Sequence, residues 1–327
     1  MAPAAYQGPL ARPFEAFLAY RQALGTCHAH LGVVLRHLDR FLCGAAPAAP
    51  ALDRELLTRW LATLADRSPL TRRNYFRVAR QVCRFQARSD PGTYVPEARS
   101  CPRGPSTFQP YLYSVAEIQA LLAAARHLPG SLRPHTYFTL LLLLYTTGLR
   151  LGEAARLQLG DLDRGTAVLR IRQAKFGKTR LVPLAPSVLA HVEAYLGRRA
   201  QAGAPTGSTA PLLWHPPPGG GGYSLVGPQH GARPLLAAVC GPPAGRGAGP
   251  RLHDLRHAFA RHRLLRWYQA GVDVQAKLPL LATYLGHGSF LSTQVYLTAT
   301  PELLAEASRR FAAGCGRVLP ALEGGDG

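Results

Sequence analysis

The sequence predicts a mainly α protein with a small β-sheet, split into a helical domain and a mixed α/β domain. Three observations carry that expectation. Apolar residues recur every three or four positions in about four blocks between residues 10 and 88. Two short β-type runs, AVLRIR (167–172) and RLVPL (180–184), flank a small turn. Between these regions lies PGTYVPEARSCPRGPSTFQP (91–110), rich in Pro, Gly and polar residues and without periodicity. The expected domains are therefore residues 1–95 and 111–327, joined by a linker over 96–110.

In chain order, the first domain is expected to be a bundle of helices near Pro13–Ala23, His28–Leu42, Asp53–Leu64 and Leu70–Ala87, with breaks such as GAAPAAP between them. In the last of these, Tyr75, Val78, Val82 and Phe85 make an apolar face, while Arg73, Arg77, Arg80, Arg84 and Arg88 make a basic stripe. Such a stripe suits a helix that tracks phosphates, and it also suits a solvated surface. Its unbalanced sign favours the first reading.

The second domain opens on Ser114 followed three residues later by Glu117, the spacing of a capping box, ahead of a helix through Ala125. Another apolar helix follows, then TTGLRLGEAARL (146–157), then the two strands around the basic turn QAKFGKT, and then a helix over Pro186–Arg199. Residues 201–250 are dense in Gly and Pro and predict a long surface loop or partly disordered insertion. From Leu252 to Phe311 the pattern is helical again.

Charge narrows the function classes. With 38 Lys and Arg against 18 Asp and Glu, the 327-residue chain carries a formal charge of +20 and is suited to a polyanion such as nucleic acid. Residues 1–110 hold 15 Arg and 7 acids, and the remainder holds 23 basic and 11 acidic residues, so both domains are basic. The six cysteines form no CxxC pair and no regular spacing, which indicates neither a disulfide framework nor a zinc ribbon. They read as small buried apolar residues. No signal segment opens the chain and no apolar run approaches the roughly 20 residues of a membrane span, so a cytoplasmic location without membrane partners is expected.

Three clusters in the second domain carry chemistry. Arg150 and Glu153 lie one helical turn apart, so the carboxylate can orient the guanidinium. In RLHDLRHAFARH (251–262), His253 and Arg256 share a helix face. LGHGSFLSTQVY (285–296) holds His287 and Tyr296. Of the 38 basic residues only Lys175, Lys178 and Lys277 are lysines, and two of them sit in one turn. A lysine ammonium can surrender its proton where a guanidinium cannot, so Lys175 is the candidate general acid; a solvated turn lysine is the alternative.

Together these side chains meet the needs of phosphodiester transesterification. Arg150 and Arg256 can fork onto the non-bridging oxygens. Tyr296 would attack, His253 would accept its proton, His287 would donate to a phosphate oxygen, and Lys175 would protonate the departing 5′ oxygen. No cofactor or metal is called for, and no carboxylate cluster stands ready to hold one. A zinc hydrolase reading of His253 and His257 lacks the HExxH pattern and sets Arg256 beside the dication. A phosphate-binding loop at Gly177–Thr179 fails because its first glycine would fall on Arg172.

The ordered set Arg150 in GLRLGE, Lys175 in the strand-flanked turn, His253 and Arg256 in HDLRH, His287 in LGH and Tyr296 nine residues later closely resembles the tyrosine recombinase or phage integrase family, including its Xer and Cre types. The resemblance covers about residues 111–311, and the preceding bundle is similar to the family's SAM-like core-binding domain. It implies strand cleavage through a 3′-phosphotyrosine link, a clamp of two domains on double-stranded DNA, and a tetramer of this chain, or of this chain with a related recombinase, on paired sites. It implies a segment after the tyrosine, here Pro301–Phe311 with Leu303 and Leu304, that docks on a neighbouring subunit. Lys178 and Arg180 are expected on DNA with Arg73, Arg77, Arg80 and Arg84. A type IB topoisomerase generally has a basic residue other than His at the position of His253. A scaffold that binds DNA without catalysis would lack one of the six residues.

Overall fold

The protein is described from a computed structural model covering residues 6–26, 29–48, 51–101, 110–172, 179–216, 220–223, 227–242 and 249–286, with 305, 306, 308 and 309. The chain divides into two compact units, Met1–Thr107 and Phe108–Gly327. Among the described residues no helix is long and apolar enough to cross a membrane.

The first unit holds α1 (Ala11–Ala23), α2 (Ala29–Ala45), α3 (Arg54–Ala62) and α4 (Pro69–Gln86). Its core gathers Phe14 and Phe17 of α1, Leu35 and Leu38 of α2, Trp60 of α3, and Phe76, Ala79 and Cys83 of α4. Local chemistry fixes the starts. Asp53 caps α3 by accepting from the Leu56 amide at 2.8 Å, and Ser68 caps α4, where Pro69 occupies a first-turn position that needs no amide donor. The Trp60 indole donates to His37 Nδ1 at 3.0 Å and stacks on Tyr75, which gives the buried ring a polar partner as well as apolar contact.

The buried face of α4 is wider than the expected stripe, with Phe76, Val78, Ala79, Val82 and Cys83 inside. Arg77 and Arg84 are exposed, while Arg73 and Arg80 are half-buried. Arg80 donates Nε to the Pro96 carbonyl at 2.7 Å, and Arg88 lies 4.8 Å over the Tyr20 ring, so two members of the stripe also hold the bundle together.

The second unit runs α5 (Val115–Ala125), α6 (Arg133–Thr147), α7 (Leu151–Ala155), β1 (Leu162–Asp163), β2 (Val168–Ile171), β3 (Arg180–Pro183), α8 (Pro186–Gln201), β4 (Trp214–His215), β5 (Gly221–Gly222), α9 (Gly227–Cys240), α10 (Asp254–Gln269) and α11 (Val274–Leu285). The first three strands form an antiparallel sheet in the order β1-β2-β3, with Leu169 opposite Val182 and Ile171 opposite Arg180. Helix α6 is apolar on nearly every side and packs against α5, α8 and α10, so it runs through the middle of the unit. The Ser114–Glu117 capping box forms at α5 in both directions.

Two expectations need correction. Residues 201–250 are not simply a surface loop: they contain β4, β5 and α9, and Leu212, Leu213, Trp214, Leu235 and Leu236 are core residues. The Tyr195 hydroxyl accepts from the Trp214 amide at 3.1 Å, the Leu157 carbonyl accepts from Leu212 at 2.8 Å, and buried Arg199 donates to the Pro211 carbonyl at 2.9 Å. Those apolar residues outweigh the Gly and Pro around them. The cysteines also differ from expectation. Of the four described, only Cys83 is buried, Cys101 and Cys240 are intermediate, and Cys43 is exposed.

Candidate active site

The site is built around the end of α6. Helix α6 stops on Gly148, whose left-handed conformation (φ 63°) turns the chain towards Arg150. Arg150 is the extended residue that precedes α7, and Glu153 occupies the third position of that helix. The Arg150 amide donates to Glu153 Oε2 at 2.9 Å, and its guanidinium donates NH1 to Oε1 at 2.8 Å. One carboxylate thereby caps the helix and orients the arginine.

Arg180, at the start of β3, completes the arrangement. Its NH1 and NH2 donate to the two Glu153 oxygens at 3.0 and 2.8 Å, a bidentate pair whose side chains are 10% and 2% exposed. Burial pushes the Glu153 carboxyl up, but the bonds from Arg180 and Arg150 outweigh this and hold it at about 2. Arg180, placed by sequence among DNA contacts, is thus committed to Glu153.

The C-terminal end of α11 joins the arginines. Arg180 Nε donates to the Tyr284 carbonyl at 3.0 Å, Arg256 NH2 to Leu285 at 2.7 Å, and Arg150 NH2 to Gly286 at 3.2 Å. Three successive carbonyls at a helix end, which lack partners within the helix, are taken by three cations where the helix dipole is negative. Arg256, only 2% exposed, also donates NH1 to the Gly148 carbonyl at 2.5 Å, so it links the ends of α6 and α11.

Lysine at position 180 keeps the charge but not the fork. Arg180→Lys is expected to lower the stability of the protein by about 1.5–3 kcal/mol, the range for hydrogen bonds to charged groups. Urea unfolding measures this, and an unchanged midpoint would remove Arg180 from the framework of the site.

His253 stands immediately before α10 with its side chain open to solvent, while partial burial of the ring, then Arg256 and Arg251, lower its pKa. His257, one turn on, meets it ring edge to face with centroids 5.5 Å apart; burial and His253 push its own pKa down to about 4. The approach to His253 is tied on both sides. Buried Asp254 accepts from Arg251 NH2 at 2.7 Å, and the buried Tyr113 hydroxyl donates to the Arg251 carbonyl at 3.1 Å.

The structure therefore brings Arg150, Glu153 and Arg256 onto one framework, with His253 at the cap of the helix that carries Arg256. Lys175, Lys178, His287, Tyr296, Leu303 and Leu304 lie outside the described residues. Sequence reasoning missed the role of Arg180, the carbonyls of residues 284–286 and the Tyr113 tether. Gly148 and Gly286, each just past an apolar helix, were the available signal for two helix ends at the site.

The phage integrase family model matches residues 113–209. The chain is 42% identical over 303 residues to y4rB of Sinorhizobium fredii, an integrase/recombinase by name, covering 86% of this chain and 92% of that protein. It is 32% identical over 173 residues to the tyrosine recombinase XerA of Pyrococcus furiosus, covering 52% and 53%. Among solved structures, the Tn1549 transposon integrase in complex with transposon right end DNA shares the fold, with a TM-score of 0.65 at 17% identity, over 92% of this chain and 99% of that one.

Proposed function

Because the chain belongs to the phage integrase family of tyrosine recombinases, we propose that it is a site-specific DNA recombinase that cuts and rejoins strands through a 3′-phosphotyrosine at Tyr296. The observation that carries this reading is the joint hold of Arg150 and Arg256 on the end of α11. The chain that leads to His287 and Tyr296 begins at the next residue.

In the proposed reaction Arg150 and Arg256 face the two non-bridging oxygens and stabilise the charge that gathers there in the transition state. Glu153 and Arg180 position Arg150. The Tyr296 oxygen forms a bond to phosphorus as the bond to the 5′ oxygen breaks. His253, its pKa lowered, is neutral near pH 7 and able to take the phenolic proton, while Lys175 delivers one to the 5′ oxygen and His287 donates to the phosphate. Attack by a 5′ hydroxyl from a second strand reverses these steps and rejoins DNA, with no metal or nucleotide consumed. The +20 charge, together with Arg73, Arg77, Arg84 and Lys178, supports double-stranded DNA as the partner, and a tetramer on paired sites is the assembly that strand exchange requires. The transposon right end DNA in the Tn1549 integrase complex supports the same substrate class.

A set of nicked duplexes tiling the DNA that flanks the gene tests the reaction. The wild-type protein is expected to become covalently trapped on one of them in a form that survives denaturation. Tyr296→Phe is expected to abolish trapping and retain DNA binding. Wild-type protein that binds one of these duplexes without ever trapping would leave a DNA-binding scaffold as the function.

A further inference from the structure

A second cationic site lies away from the arginine framework. A cavity of about 340 Å³ opens between the end of α5, the first half of α6 and the middle of α8. Arg126 follows α5, His135 and Phe138 share a face of α6, and His191 and Arg198 stand two turns apart on one face of α8. Four groups able to carry positive charge thus converge from three helices, and no Asp or Glu is among the cavity's lining residues.

Their contacts leave the charge unanswered. The Arg126 guanidinium rests on the Phe138 ring at 4.7 Å, and the His191 ring meets the same phenylalanine at 5.4 Å. Among the described residues, neither Arg126 nor Arg198 has an ion pair with a carboxylate. Burial and then Arg198 lower the pKa of His135, which places that guanidinium close enough to repel it. Gathering like charges in one cleft costs Coulomb energy that a bound anion removes. The two acceptor oxygens of a carboxylate lie in one plane, whereas the oxygens of a phosphate diverge tetrahedrally, which better matches four donor groups arriving from different directions.

We propose that this cavity binds a phosphate oxyanion, either free or carried on nucleic acid, at a site separate from the catalytic arginines. The separation follows from α6: the thirteen residues from His135 to Gly148 advance about 20 Å at the usual helical rise. This assignment does not depend on the recombinase reaction.

Titration of the full-length protein with inorganic phosphate, against chloride at equal ionic strength, tests it. The probe proteins are wild type, Arg150→Gln and the double variant Arg126→Gln/Arg198→Gln, whose two arginines are exposed and whose fold is checked by circular dichroism. Phosphate binding is expected to persist in Arg150→Gln and to weaken at least tenfold in the double variant. In a second arm, the salt dependence of duplex binding separates the sources. A slope shallower by about 0.9 in the double variant assigns the site to a DNA phosphate, and an unchanged slope with lost phosphate binding assigns it to free phosphate. Equal phosphate binding by wild type and double variant, together with an unchanged slope, overturns the proposal. So does binding of a poly-glutamate peptide alone, which would make the site one for an acidic protein.

Discussion

Replacing Glu153 with alanine is expected to destabilise the protein by about 3–5 kcal/mol, the range for removing one partner of a buried ion pair. The side chain is 2% exposed and holds Arg150 and Arg180 at once, so its loss strands two guanidinia beside each other and removes the cap of α7. Glu153→Gln keeps the volume and the amide contacts and is expected to cost less, but its stability should respond differently to acid. The folded carboxyl titrates at about 2 against an ordinary value of 4.5. A depressed pKa stabilises the folded state fully above the unfolded value, and that contribution fades as pH falls from about 4.5 towards 2. The difference corresponds to on the order of 3 kcal/mol. Urea unfolding of wild type and Glu153→Gln between pH 2 and pH 6 should therefore converge at the acid end. Parallel curves across that range would show that Glu153 is not the group responsible.

The second large effect is expected at Gly148. A Cβ built there would come within 2.7 Å of both the Leu285 and Phe259 side chains, on a backbone already at φ 63°. Gly148→Ala combines a left-handed penalty of about 1–2 kcal/mol with overpacking of about 1–3 kcal/mol. Gly203→Ala isolates the first component, because that residue is also left-handed (φ 76°) but has nothing within 4 Å of the place a methyl group would take. Gly148→Ala should be the more destabilising of the two by at least about 1 kcal/mol. It should also reduce covalent trapping more than DNA binding, since the Gly148 carbonyl holds Arg256. Equal losses for the two variants would mean that α10 and α11 yield to the methyl group.

What was legible in the sequence was mostly local. The helices of the first unit, the capping box at Ser114 and the pairing of β2 with β3 all leave signals within a few residues of themselves, and they form where expected. The pairing of Arg150 with Glu153 is likewise one turn long. Arg180 reaches the same carboxylate across 27 positions, so its basic charge beside a lysine-bearing turn suggested DNA instead. Helix α9 was hidden for a different reason: Gly231 and Pro234 lie inside it, and the burial of Leu235 and Leu236 offsets their low helix propensity. The acceptors at the end of α11 were invisible because any residue type supplies a carbonyl.

That last property sets an asymmetry in how the site tolerates variation. Changing the side chain at 284 or 285 leaves the oxygen that receives Arg180 or Arg256 in place, so drift there is filtered by packing rather than by hydrogen-bond chemistry. At 286 a methyl group would crowd Arg180 at 2.7 Å, so glycine alone is constrained by shape. In a saturation library, sensitivity to donor chemistry should fall on the three arginines, while the segment that receives them should be limited by apolar packing at buried Leu285 and by shape at Gly286.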